Sequence, residues 1–100
     1  MTKADIIDRI ANGTGLTKID CEAVVDGFFK TIIDYLAEGK GIEIRGFGSY
    51  KVKKKKARFA RNPRSGEKVF VGDHFVPTFK FSKDFKAAVD SGMKGSTVQE

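Results

Sequence analysis

Apolar residues recur at two different periods along the chain, and the change of period divides it. Over the first forty residues the period is helical. Ile6, Ile7 and Ile10 mark one face of a segment that opens with Thr2 and Asp5, spaced like a capping box with Asp in place of Glu. Gly13 and Gly15 are expected to end it. Thr17 and Asp20 repeat the opening signal. Cys21, Val24, Val25, Phe28, Phe29, Ile32, Ile33 and Leu36 then follow at helical spacing until EGKG stops the segment. These positions come in adjacent pairs every four residues, a stripe wider than one short helix can cover. The spacing predicts a long helix packed against its own hairpin partner and against a second subunit.

From Gly41 the period is two. Ile42 and Ile44 alternate with Glu43 and Arg45, a turn flanked by Gly46 and Gly48 follows, and Tyr50 and Val52 resume the alternation. Alternation fails at Lys53, because lysines occupy both parities through Lys56, so this part of the strand has no buried side. NPRSG turns the chain, with Pro63 fixing φ and Gly66 free to take a positive φ, and Val69 to Val71 run back. Phe75, Pro77, Phe79 and Phe81 then share one parity, and Pro77 predicts an edge or a bulge for its missing amide. Ser82 is a candidate N-cap for a last short helix carrying Phe85, Ala88 and Val89. The expected class is α+β: a helical body over 1–40, a three-stranded antiparallel sheet over 41–81 with a protruding ribbon over about 53–74, a helix over 82–91 and a mobile tail over 92–100.

Composition sharpens this division. One hundred residues make one small domain, a size at which a single core stabilises only marginally. Cys21 is the single cysteine and no His/Cys cluster suggests a structural metal, so oligomerisation is the expected source of further stability. No cofactor is expected. No signal peptide or membrane-length apolar run is visible, which predicts a soluble, cytoplasmic protein. The formal charge of +6 is unevenly spread, with −2 in residues 1–50 and +8 in residues 51–100. Lys51 to Arg64 alone hold eight basic residues and no acidic one, a block that attracts polyanions.

Two readings of the lysine run compete. A few exposed charges discourage edge-to-edge aggregation, but that purpose needs one or two rather than eight. Phosphate binding uses them all, with affinity that falls as salt rises. Pro63 fits an ordinary turn, yet at the tip of a narrow cationic ribbon its ring can also enter between base pairs and kink a duplex. Arg61, Asn62 and Arg64 would then reach phosphates or base edges. Cys21, on the apolar helix face, reads as a small core hydrophobe. Phe59 is out of place in the charged ribbon; a cross-strand contact with Val69 or Val71 is the favoured reading, and stacking on a base the alternative.

The stretches RGFGSYKV, ARFARNPRSGE and VPTFKFSKDFK together closely resemble the HU and integration host factor family of bacterial nucleoid proteins, over residues 2 to 90. The resemblance implies an intertwined dimer with a helical body, a β-saddle and two arms that follow the DNA minor groove. It implies that Pro63 is the wedge and that Lys53, Lys54, Lys55, Lys56, Arg58, Arg61, Asn62 and Arg64 serve the arm. Lys80, Lys83 and Lys86 would serve the saddle and its flank, and Lys3 and Gly46 are further DNA-binding candidates. Phe28, Phe29, Ile32, Phe47, Tyr50 and Phe79 are the implied dimer core. Because Arg58 differs in strand parity from Lys53, Lys55 and Arg61, a bulge or strong twist is expected between Lys55 and Arg58. Family members often have Pro-Gly where this chain has Phe81-Ser82.

The expected function is architectural: binding and bending of double-stranded DNA in the bacterial nucleoid with little sequence preference, by a homodimer or a heterodimer with a paralogue. Alternatives are a sequence-selective subunit of an integration-host-factor-like heterodimer, and an RNA-binding protein using the same ribbon. No paired carboxylates, Cys/His dyad or metal cluster suggests an enzyme.

Overall fold

A computed structural model describes residues 1–95. The first two helices begin as the sequence requires. Helix α1 (Lys3–Thr14) opens on a reciprocal box, in which the Asp5 amide donates to Thr2 Oγ1 and the Thr2 amide to Asp5 Oδ2. Gly13 stays within the helix, contrary to expectation; the stop is Gly15, at φ 78°, whose amide donates to the Ala11 carbonyl. Helix α2 (Lys18–Ala37) starts where the Asp20 amide donates to Thr17 Oγ1. Both helices are amphipathic, and their shared core consists of Ile7, Ala11, Cys21 and Val25. Cys21 is 1% exposed and packs as a small hydrophobe.

Three strands follow the expected plan. Strands β1 (Ile42–Ile44), β2 (Gly48–Lys55) and β5 (His74–Phe81) form an antiparallel sheet in the order β1-β2-β5. Strand β5 is an edge, which accommodates Pro77 opposite Val52. Between β2 and β5 the chain runs out and back as a second ladder, β3 (Arg58–Arg61) paired with β4 (Lys68–Val71). This ribbon packs on no other element strongly and gives the molecule extents of 52 × 38 × 28 Å.

Alternation gives the sheet two unlike faces. Tyr50, Phe79 and Phe81 lie on one, where Phe79 joins Phe47 at 5.7 Å, Tyr50 at 4.6 Å and Phe81 at 4.8 Å between ring centroids. Phe85, from helix α3 (Lys83–Gly95), closes the cluster against Phe47 at 5.1 Å and Phe81 at 4.6 Å. Gly48 is required here, since a Cβ would overlap the Phe79 ring and the Lys80 carbonyl. On the opposite face stand Ser49, Lys51, Lys53 and Lys55, with Thr78 and Lys80 from β5.

Entry to α3 is settled by Ser82. Its Oγ accepts from the Phe85 amide at 3.0 Å, and its own amide donates to the Phe47 carbonyl at 2.9 Å. The helix runs through Gly95, so residues 92 to 95, expected to belong to a mobile tail, are helical. Met93 continues the stripe begun by Phe85 and Val89 at intervals of four, an apolar period that the sequence reading overlooked. The rest of that expected tail lies outside the described residues.

Candidate nucleic-acid interface

The arm tip is a self-contained turn. Asn62 and Glu67 close it, with the Asn62 amide donating to the Glu67 carbonyl at 2.8 Å and the Gly66 amide to the Asn62 carbonyl at 2.7 Å. Asn62 Oδ1 accepts from the Arg64 amide at 2.8 Å, an Asx turn around Pro63. Gly66 takes φ 74°, as the sequence anticipates. Arg61 donates through its guanidinium to the Gly66 carbonyl at 3.2 Å. Pro63 and Arg64 are exposed, while Asn62 and Arg61 already help to hold the loop. Their contribution to a ligand therefore begins with shaping the tip.

Where the arm meets the sheet, the ladder breaks. Lys56 and Ala57 on the outgoing strand and Gly72 and Asp73 on the returning strand are unpaired, between Lys55↔His74 and Arg58↔Val71. Two residues are left out on each side, so no residue is inserted and strand parity carries through. An irregularity stands where one was expected, but it is not a bulge and does not turn Arg58 toward the face of Arg61. Asp73 stabilises the break: its Oδ1 accepts from the Ala57 amide at 2.6 Å and its Oδ2 lies 3.9 Å from Lys54 Nζ. This is the one carboxylate between Lys68 and Lys80.

Register now sorts the basic residues. Lys53, Lys55 and Arg61 share a face with Lys51, Lys68 and Lys80, whereas Lys54 and Arg58 lie on the other. Lys68 escaped the sequence reading, and Lys51 entered it only as part of the basic block, although parity from Lys53 and pairing with Arg61 would have pointed to both as interface residues. A second, net cationic concavity is lined by Arg45, Lys80, Lys83 and Lys86 with Gly46 and Gly48, against the single carboxylate of Glu43. Arg45 was also missed; it precedes Gly46, whose φ of 81° makes the β1–β2 turn. The first residues of α3 line the same hollow, so its helix dipole adds to the lysines in favouring an anion.

Lys3 stands apart from this surface. Its Nζ lies 2.7 Å from Asp26 Oδ1 of α2, and it is tied to the helical body. The hydrogen bond to Asp26 and that carboxylate's charge, with a lesser contribution from Glu22, raise the Lys3 pKa against the opposing effect of desolvation. A raised lysine pKa means that the bond contributes fully at neutral pH and is lost only as pH rises through that value. Such an exposed pair contributes little to stability.

The candidate dimer-core residues are left uncovered by the single chain. Phe28, Phe29 and Phe47 are 46%, 42% and 40% exposed, and Ile32, Tyr50 and Phe79 are half-buried. Beside them, Ile33 and Leu36 of α2 and Val52, Phe75 and Pro77 of the sheet line an open apolar concavity. Among the described residues, no group of three His, Cys, Asp or Glu side chains could hold a metal ion, and no helix is long and apolar enough to cross a membrane.

A helical hairpin with an uncovered apolar face, carrying a sheet whose outer face is cationic and continues into a ribbon, defines a class of proteins with a surface suited to a polyanion. Comparison with known proteins agrees. The family described as bacterial DNA-binding protein matches residues 1–90. DNA-binding protein HU of Streptococcus mutans is 41% identical over 87 residues, covering 87% of this chain and 96% of its own length. HU of Lactococcus lactis is 39% identical over the same span. Among solved structures, Anabaena HU cocrystallised with DNA superposes with a TM-score of 0.81 at 34% identity, covering 89% of this chain and 97% of that one. HU of Thermotoga maritima gives 0.65 at 31% identity, covering 89% and 98%. The chain belongs to the HU and integration host factor family of bacterial DNA-binding proteins.

Proposed function

We propose that the protein is an architectural factor of the bacterial nucleoid that binds double-stranded DNA as a homodimer, lays its arms along the minor groove and kinks the duplex by inserting Pro63. The observation that carries this reading is the cationic face shared by the sheet and the arm. It runs from Lys80 and Lys51 through Lys53 and Lys55 to Arg61 and Lys68, and ends at a rigid turn with an exposed proline ring. The Anabaena relative, similar over most of its length, was crystallised with DNA.

Pairing of two chains follows from surface chemistry. Burying the Phe28, Phe29, Ile33 and Phe47 side chains removes large apolar area from water, at roughly 25 cal/mol per Å². A twofold dimer would set two arms on opposite sides of one duplex. Phosphate contacts to the saddle and arms would offset the few kcal/mol that unstacking and bending require. Nothing on the cationic face reads base edges through a rigid helix, consistent with low sequence preference.

Gel-shift titration of intact, nicked and mismatched duplexes at two salt concentrations tests the proposal. Nicked and mismatched DNA should bind more tightly, because their deformation is less costly. Affinity for all three should fall on the order of 1,000-fold between 50 and 200 mM salt if six or more phosphates are neutralised. Equal affinity for the three duplexes would remove the bending function, and preference for structured RNA in competition would replace the partner.

A further inference from the structure

The cationic face of the arm contains an apolar island. Phe59 and Phe70 are directly opposite one another in the β3–β4 ladder, their rings 5.5 Å apart in an edge-to-face arrangement. They are 68% and 61% exposed. The expected partners of Phe59, Val69 and Val71, are on the opposite face, paired with Ala60 and Arg58. Because parity carries through the break at Lys56–Ala57, the two rings follow Lys53 and Lys55 on one side and precede Arg61 and Lys68 on the other. The sheet's opposite face, with Tyr50 and Phe79, turns toward the body. The phenylalanines therefore interrupt the surface that the proposed function presents to DNA.

We propose that Phe59 and Phe70 form an aromatic clamp that packs on deoxyribose rings along the wall of the minor groove. This deepens the DNA-binding reading and rests on it. Away from the base stack, the apolar groups that a duplex exposes in this groove are the C–H edges of its sugars. Cationic side chains on either side would hold the phosphates flanking such a contact, leaving the rings against the intervening sugars. Two rings held edge-to-face enter as one preformed unit, with few rotamers left to order. Binding would cover apolar area that otherwise faces water. The resulting affinity is apolar, so it adds to the lysine contribution without changing the number of counterions released.

Stiffening of the free ribbon is the competing role for the pair. F59T/F70V separates the two, because Thr and Val keep strong β-propensity across the strands while removing both rings. Using the full-length dimer and a duplex of about two helical turns, the double variant should bind about ten-fold more weakly, with the slope of log affinity against log salt unchanged. Amide hydrogen exchange in the ribbon reports whether its order is kept. In parallel, intermolecular nuclear Overhauser effects in the wild-type complex should connect Phe59 or Phe70 ring protons to sugar H1′ and H4′ protons. Unchanged affinity in F59T/F70V, or a wild-type complex in which ring protons approach no sugar proton, overturns the clamp and leaves DNA binding intact. Failure of the wild-type protein to bind any duplex overturns the DNA-binding reading and the clamp with it.

Discussion

Asp73, Gly48 and Pro63 illustrate three ways in which one side chain controls this protein. Asp73 puts a carboxylate where the ribbon leaves the sheet and satisfies the otherwise unpaired Ala57 amide. Asp73→Ala should speed hydrogen exchange at Ala57 and cost about 1 kcal/mol of local stability, whereas Asp73→Asn, which keeps an acceptor, should retain most of the protection. Gly48 lies under the Phe79 ring, and its backbone φ does not explain its presence. Gly48→Ala should therefore lower unfolding stability by about 1–3 kcal/mol through overpacking, measured by urea denaturation. Pro63 contributes nothing to the tip's hydrogen bonds, so Pro63→Ala should leave the fold intact and reduce the bend of a bound duplex in a fluorescence-transfer or circular-permutation assay. An unchanged bend angle would rule out the wedge. Sequence inspection found Gly48 and Pro63 because turn residues carry local signals. Asp73 was missed, since its role depends on an amide sixteen positions away.

At the level of elements, helix starts and strand periods were legible for a common reason: caps and alternation are local. Thr2, Thr17 and Ser82 all cap as their spacing suggests. The ribbon was legible by exclusion, because lysines on both parities cannot be buried on either side. Its pairing was less accessible. Which of Val69, Phe70 and Val71 faces Phe59 depends on register, and register depends on the length of the turn beyond Arg61. The same register shows which lysines act together. Replacing Lys53, Lys55 and Arg61 with Gln should flatten the salt dependence of duplex binding by about 0.9 for each phosphate that is no longer neutralised, seen in fluorescence-anisotropy titrations. Replacing Lys54 and Arg58, on the other face, should change that slope less.

As a whole molecule, the single chain is too open to account for its own stability. Its radius of gyration is 18.9 Å, against about 13 Å for a compact chain of 100 residues. Among the described residues, only four form a buried hydrophobic core. Unfolding should therefore depend on concentration, with the melting temperature falling on dilution as the proposed dimer dissociates. Phe47→Ala should strengthen that dependence and destabilise by about 3 kcal/mol or more, as read by calorimetry at two protein concentrations.

Sequence alone determined the order and type of the elements, the unequal distribution of charge and the excess of apolar surface, because each follows from residue types at short spacing. Tertiary structure decided which charges share a face, how the arm leaves the sheet and that Phe59 meets Phe70. Those depend on pairing between strands remote in sequence, where a shift of one residue would exchange the two faces.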